Sequence, residues 1–174
     1  MKKIIILLCI TIAAMITFAV TTSAEVYTGS CGTNVTYTLN TSTGVLEIDG
    51  TGAMANYSYD SHAPWYSYSS FVKTVKIPDS VTSIGEYAFY ECSSLTSVEI
   101  GDSVTSIGEG AFSGCSSLTN LYISDLESWL NVSLYNSYSH PLYSVGGNLY
   151  IDGVLATDIE IPDTVTSIGN YAFC

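Results

Sequence analysis

The stretch Val72–Ser94, VKTVKIPDSVTSIGEYAFYECSS, runs straight into Leu95–Ser117, LTSVEIGDSVTSIGEGAFSGCSS, and 15 of the 23 aligned positions are identical. A third copy opens at Leu118 with LTNLYIS and then leaves the pattern; a fourth resumes at Asp158 with DIEIPDTVTSIGNYAF. Self-similarity at this period marks a solenoid, in which each unit is one coil touching only its neighbours. One coil holds few apolar side chains, in the first copy Val72, Val75, Ile77, Val81, Ile84, Phe89 and Cys92. Their burial does not offset the entropy lost in ordering the backbone around them, so the unit must stack.

The residues within a copy set its local structure. Val75 and Ile77 alternate with Thr74 and Lys76, as Val98 and Ile100 do with Ser97 and Glu99, which describes a short strand with one buried face. Pro78 or Gly101, each followed by an aspartate, then turns the chain. Val81–Ile84 and Val104–Ile107 carry the β-branched series Val-Thr-Ser-Ile of a second strand, and Gly85 and Gly108 are expected to supply positive φ after it. Glu86–Cys92 is too short for a regular helix and is expected to drop Ala88 and Phe89 into the core through turns. The expected fold is therefore mostly β: a solenoid of 23-residue coils, each giving one strand to each of two short parallel sheets, with little helix.

Outside the repeats, residues 1–24 have the parts of a secretory signal: Lys2 and Lys3, a mainly apolar run from Ile4 to Val20, and small residues ending at Ala24. Cleavage before Glu25 is expected; the alternative is an uncleaved anchor, because the run just reaches across a bilayer. Leu7 and Leu8 before Cys9 lack the small residues of a lipoprotein signal, so export without a lipid anchor, and without stable membrane insertion after cleavage, is the reading. Residues 25–70 are expected to form an N-terminal β cap, with a hairpin across the turn residues Asn40–Gly44 and Trp65 plugging the end of the core. Residues 71–117 are the two regular repeats. Residues 118–157 form a variant repeat: Ile161 follows Ile123 by 38 positions, so 15 extra residues are inserted and expected to protrude, ending in a hairpin over Asn148–Leu155 with Asp152-Gly153 at its tip. Residues 158–174 are an incomplete repeat. It stops at Cys174 without a closing cap, which suggests a fragment or a truncated product.

Charge removes whole classes of partner. Without residues 1–24 the chain keeps two lysines against sixteen acids and no arginine, a net charge of −14. Such a surface repels phosphate backbones, which excludes nucleic acid, and it disfavours anionic lipid. Of the remaining cysteines, Cys92 and Cys115 hold the same place in the repeat, so their side chains should run parallel about 4.8 Å apart, a poor disulfide geometry and a good column of buried thiols. There is no Cys-x-x-Cys pair, and His62 and His140 are 78 residues apart, so no zinc motif is present. Their similar contexts, each near a proline and an aromatic residue, suggest a shared turn rather than a catalytic pair. Neither a Gly-x-Ser-x-Gly elbow nor a phosphate-binding glycine loop occurs, so no enzyme and no cofactor is expected. Asp79, Asp102 and Asp163 recur at the turn after the first strand, where a calcium ladder stands against ordinary turn chemistry. The fourteen tyrosines, clustered in Tyr57–Tyr68 and Tyr135–Tyr150, either pack the cap and insertion or form a contact patch.

The runs IPDSVTSIGEYAFYECSSL (Ile77–Leu95) and GDSVTSIGEGAFSGCSSL (Gly101–Leu118) resemble the BspA-type leucine-rich repeats of bacterial surface and secreted proteins and of some protozoan surface proteins. Gly50–Tyr68 resembles the segment that often introduces such arrays, and YISDLESWLNVSL (Tyr122–Leu134) with the Ser139–Tyr143 segment resembles a recurring variant repeat. The resemblance implies a curved solenoid that binds macromolecules, with adhesion to host proteins or cells as the family's best-known activity. The outward positions of the first strand are the candidate contact ridge: Lys76, Glu99, Tyr122 and Glu160, beside Thr74, Ser97, Asn120 and Asp158. The expected function is a secreted or cell-surface module that recognises an extracellular or host-surface protein. The alternatives are a passive spacer displaying another domain, and a carbohydrate-binding accessory of an exported hydrolase acting near Trp65 or Trp129.

Overall fold

A computed structural model describes residues 25–143 and 146–173; the expected signal segment, Cys9 and Cys174 lie outside the described residues. In chain order the strands are β1 (Val26–Ser30), β2 (Val35–Asn40), β3 (Val45–Gly50), β4 (Gly52–Ala53), β5 (Thr74–Ile77), β6 (Val81–Ile84), β7 (Ser97–Ile100), β8 (Ser106–Ile107) and β9 (Asn120–Ile123). The helix α1 (Leu126–Leu130) then precedes β10 (Ser133–Leu134), β11 (Asn148–Ile151) and β12 (Val154–Leu155). They build two sheets. The larger has the order β1-β2-β3-β5-β7-β9-β11-β12, and the smaller β10-β8-β6-β4. The middle of the large sheet is parallel, with Thr74 opposite Ser97 and Ser97 opposite Asn120, so the sheet register steps by one sequence repeat.

That register stacks like on like. Leu46, Val75, Val98 and Leu121 form one inward column, and Ile84, Ile107 and Leu134 another under the small sheet. Between the sheets runs an aromatic spine. Tyr37 meets Trp65 at 5.2 Å, Trp65 lies over Phe89 at 5.6 Å, and Phe89 over Phe112 at 5.2 Å. Trp65, 1% exposed, donates its indole N–H to the Ala88 carbonyl at 3.0 Å, so it is buried within this spine without leaving a polar atom unpaired. Ala88 and Phe89 enter the core through turns rather than a helix.

Four features differ from the sequence reading. Gly85 and Gly108 do not have positive φ; a Cβ on Gly85 would lie 1.8 Å from the Ala55 carbonyl oxygen, and one on Gly108 would lie 2.6 Å from the Glu86 nitrogen. These glycines exist because neighbouring coils approach too closely for any side chain. Positive φ falls instead at Tyr87 and Gly110, and at Glu91 and Gly114, which are equivalent positions of the two repeats.

The segment before the repeats is itself a coil. It places β3 in the large sheet, β4 in the small sheet, and Trp65 at the level of the repeat phenylalanines. The hairpin of β2 and β3 forms as expected, and β1 adds an antiparallel edge.

The insertion does not protrude. Its α1 turns Trp129 and Leu130 inward, β10 extends the small sheet, and β11 pairs in parallel with β9 to close a long coil. The Asn148–Leu155 hairpin forms with positive φ at Asp152 and Gly153, as an Asp-Gly tip requires.

The last copy makes no strand at its start. β12 has already paired with the free edge of β11, so Ile159–Ile161 cannot add to β11 in parallel as the earlier repeats add to one another. The tail docks on α1 instead: the Gly169 N–H donates to the Leu130 carbonyl, and the Trp129 indole N–H donates to the Ala172 carbonyl at 3.3 Å.

Candidate binding face

The outer face of the large sheet carries two rows of side chains. The first consists of Thr74, Ser97, Asn120 and Asn148. Its members bond to one another: Thr74 Oγ1 lies 3.0 Å from Ser97 Oγ, and Asn148 Nδ2 donates to Asn120 Oδ1 at 3.2 Å. This row is a polar ladder between coils, and its hydrogen-bonding capacity is partly spent inside the protein.

The second row is Thr38, Glu47, Lys76, Glu99, Tyr122 and Tyr150. Glu47, Lys76 and Glu99 are exposed, and Tyr122 and Tyr150 are half-buried. The tyrosine rings stack at 4.5 Å with 12° between their planes, as expected of side chains held at equal heights on adjacent strands. Lys76 therefore sits between two glutamates, followed by an aromatic pair.

Six of the eight residues expected to form the ridge are brought together here: Thr74, Lys76, Ser97, Glu99, Asn120 and Tyr122. Asp158 and Glu160 are not; they lie exposed outside both sheets, and Asn148 and Tyr150 hold the places assigned to them. The signal was in the sequence, because Asn148–Ile151 reads NLYI, identical to Asn120–Ile123. Glu47 was legible in the same way, since Val45–Ile48 reads VLEI beside the SVEI of β7.

A model for the BspA-type leucine-rich repeat region matches residues 64–173 in six copies. The chain belongs to the BspA-type leucine-rich repeat family. A crystallised leucine-rich repeat protein from Eubacterium ventriosum is 33% identical with a TM-score of 0.55, over 63% of this chain and 28% of that one. A leucine-rich cell surface protein from Faecalibacterium prausnitzii is 21% identical with a TM-score of 0.36, over 76% of this chain and 44% of that one. The chain thus spans under a third and under half of the lengths of these two proteins. No curated protein matches at a significant level.

In this BspA-type array Asp79, Asp102 and the buried cysteines serve packing. Asp79 Oδ1 accepts the Asp102 N–H at 3.0 Å, Asp102 Oδ1 accepts the Asp125 N–H at 3.1 Å, and Asp102 Oδ2 accepts the Ser124 hydroxyl at 2.7 Å. Asp79 and Asp102 thus tie each coil to the next through backbone N–H groups, whereas Asp163, expected in the same column, lies exposed in the tail; no grouping of three or more potential metal ligands occurs among the described residues. Asp125 caps α1 by accepting the Ser128 N–H at 2.8 Å, and hydrogen bonds from Ser128 hold its carboxyl below the usual range.

Cys31, Cys92 and Cys115 are free and buried; burial pushes the Cys31 thiol up to about 11 and the Cys92 thiol up to about 12. Thiols so protonated are poor nucleophiles, and Cys115 Sγ donates to the Phe89 carbonyl at 3.1 Å. His62 stacks on Tyr66 at 3.7 Å on the surface, whereas His140 is buried against Trp129, so the two sit in unlike environments. Trp129 is 3% exposed, and with Trp65 equally enclosed neither indole presents a face to a sugar. The tyrosines divide: Tyr37 packs in the core, while Tyr59, Tyr135 and Tyr138 are exposed.

Proposed function

We propose that this chain is a secreted or surface-exposed recognition module without enzymatic activity, which binds an extracellular protein through the outer face of its large sheet. The observation that carries the reading is the row Glu47, Lys76, Glu99, Tyr122 and Tyr150, displayed on parallel strands and relieved of core duty. A scaffold ordered before contact loses little conformational entropy on binding. Tyrosine adds large contact area with few rotatable bonds. Family membership supports the reading, because extended solenoid surfaces are commonly used for binding.

The test is binding of the purified chain to immobilised extracellular-matrix proteins and to cell surfaces, with Glu99→Ala and Tyr122→Ala as variants. Saturable binding weakened in both is expected. Binding unchanged in both removes this face from consideration, and no saturable binding by the parent chain favours the spacer. The carbohydrate reading is disfavoured by the enclosure of Trp65 and Trp129.

A further inference from the structure

We infer that the partner reaches this face as an extended polypeptide segment bearing lysine or arginine, held in a groove at the carboxyl ends of the sheet strands. The inference rests on the recognition reading above and adds the chemistry of what is recognised.

The groove is a feature of shape first. A cavity of about 400 Å³ is bounded by Ile77, Pro78, Glu99, Tyr122, Asp152 and others, and a second of about 380 Å³ by Glu47, Asp49 and Lys76. Both include Ile77, Pro78 and Glu99, so they adjoin, and end to end they make a trough across the strands. From β3 to β11 it crosses four inter-strand gaps, roughly 19 Å at the usual strand spacing, which matches about six extended residues.

Its lining selects the occupant. Its apolar part is Pro78 and the ring of Tyr122, both half-buried, while Glu47, Asp49, Asp79, Glu99 and Asp152 line the trough against the single base Lys76. Lysine and arginine match both parts at once, since their stems lie along apolar surface while the charged head stays at the rim. The aromatic pair gives an independent reason. Tyr122 lies between Glu99 and Tyr150 in the row and stacks on Tyr150, so the side of its ring away from Tyr150 is turned toward the strand carrying Glu99. A cation entering beside Glu99 meets a carboxylate and the electron-rich face of an aromatic ring together. The net charge of the chain steers such a segment toward it.

The experiment titrates the purified chain into two end-labelled peptides of about eight residues, one alternating Lys and Thr and the other Glu and Thr, followed by fluorescence anisotropy. The variants are Glu99→Gln, Tyr122→Leu and, as a control in the exposed Ser58–Ser61 turn, Asp60→Asn; thermal unfolding by circular dichroism establishes that each is folded. Saturable binding of the lysine peptide alone is expected. It should weaken about threefold in Glu99→Gln, about fivefold in Tyr122→Leu, remain unchanged in Asp60→Asn, and weaken strongly between about 20 and about 300 mM salt. Equal loss in all three variants, or no loss in either groove variant, overturns the inference. A matrix protein that binds through Tyr122 yet is not displaced by the lysine peptide overturns the cationic assignment and leaves the recognition reading standing. Peptide binding intact with no protein bound at this face sinks the recognition reading alone.

Discussion

Replacing Gly85 by alanine tests the packing on which the whole stack rests. An alanine Cβ would lie 1.8 Å from the Ala55 carbonyl oxygen and 2.6 Å from its carbon, whereas ordinary contact needs about 3.4 Å. The obstacle is backbone, which cannot swing aside, so the Met54–Tyr57 segment must lift away from the first repeat. Three hydrogen bonds fasten it there, from the Met54 N–H to the Ser83 carbonyl at 3.1 Å, from the Tyr57 N–H to the Glu86 carbonyl at 2.9 Å and from the Glu86 N–H to Asn56 Oδ1 at 3.0 Å. Overpacking of this kind costs about 1–3 kcal/mol, and each weakened hydrogen bond about 1 kcal/mol. Gly85→Ala should therefore destabilise the chain by about 4–6 kcal/mol in urea unfolding. Trp65 fluorescence reports on the affected junction, and far-ultraviolet circular dichroism on the sheets. A loss below about 1 kcal/mol with an unchanged midpoint would refute the close-approach account of this glycine.

Other consequences are also measurable. Glu91 has φ of 57° where the next repeat has Gly114 at 83°; Glu91→Gly should be neutral or slightly stabilising, while Gly114→Ala should cost about 1–2 kcal/mol in chemical denaturation. His140 Nδ1 accepts the Leu142 N–H at 3.0 Å and Nε2 lies 3.3 Å from the Ala172 carbonyl, an arrangement suited to the neutral ring, and burial lowers its pKa although the carbonyl opposes this. The unfolded chain then binds the extra proton, so this contribution is complete above about pH 6.5 and lost as pH falls below it; unfolding curves between about pH 7 and 5 should flatten in His140→Gln, and an unaltered slope would exclude the effect. The Cys92 and Cys115 thiols, raised by burial, should resist alkylation at neutral pH in the native chain and react fully in urea, as followed by mass spectrometry.

The period carried much of this architecture by itself. In the middle of the large sheet an inter-strand step equals the sequence repeat, so identical residues fall into columns and the fates of Val75, Ile77, Phe89 and Cys92 follow from those of Val98, Ile100, Phe112 and Cys115. Legibility failed where geometry persists without identity. The coil holding β3, β4 and Trp65 uses a different turn sequence, yet the requirement to cover an open core and pair an open edge produces the same path. It failed again at the long coil, because insertions change spacing without changing which edge is free.

The amino-acid order alone determined that this chain is a β solenoid with a buried apolar interior and an acidic exterior, because alternation and recurrence are local properties. Only tertiary structure decided which residues share the outer row. A sheet edge accepts one partner, and once β11 had taken the edge of β9, and β12 that of β11, the parallel place beside β11 was closed to Asp158 and Glu160. The repeated NLYI marked Tyr150 as a candidate for the place beside Tyr122, and that competition for hydrogen-bonding groups settled it over Glu160.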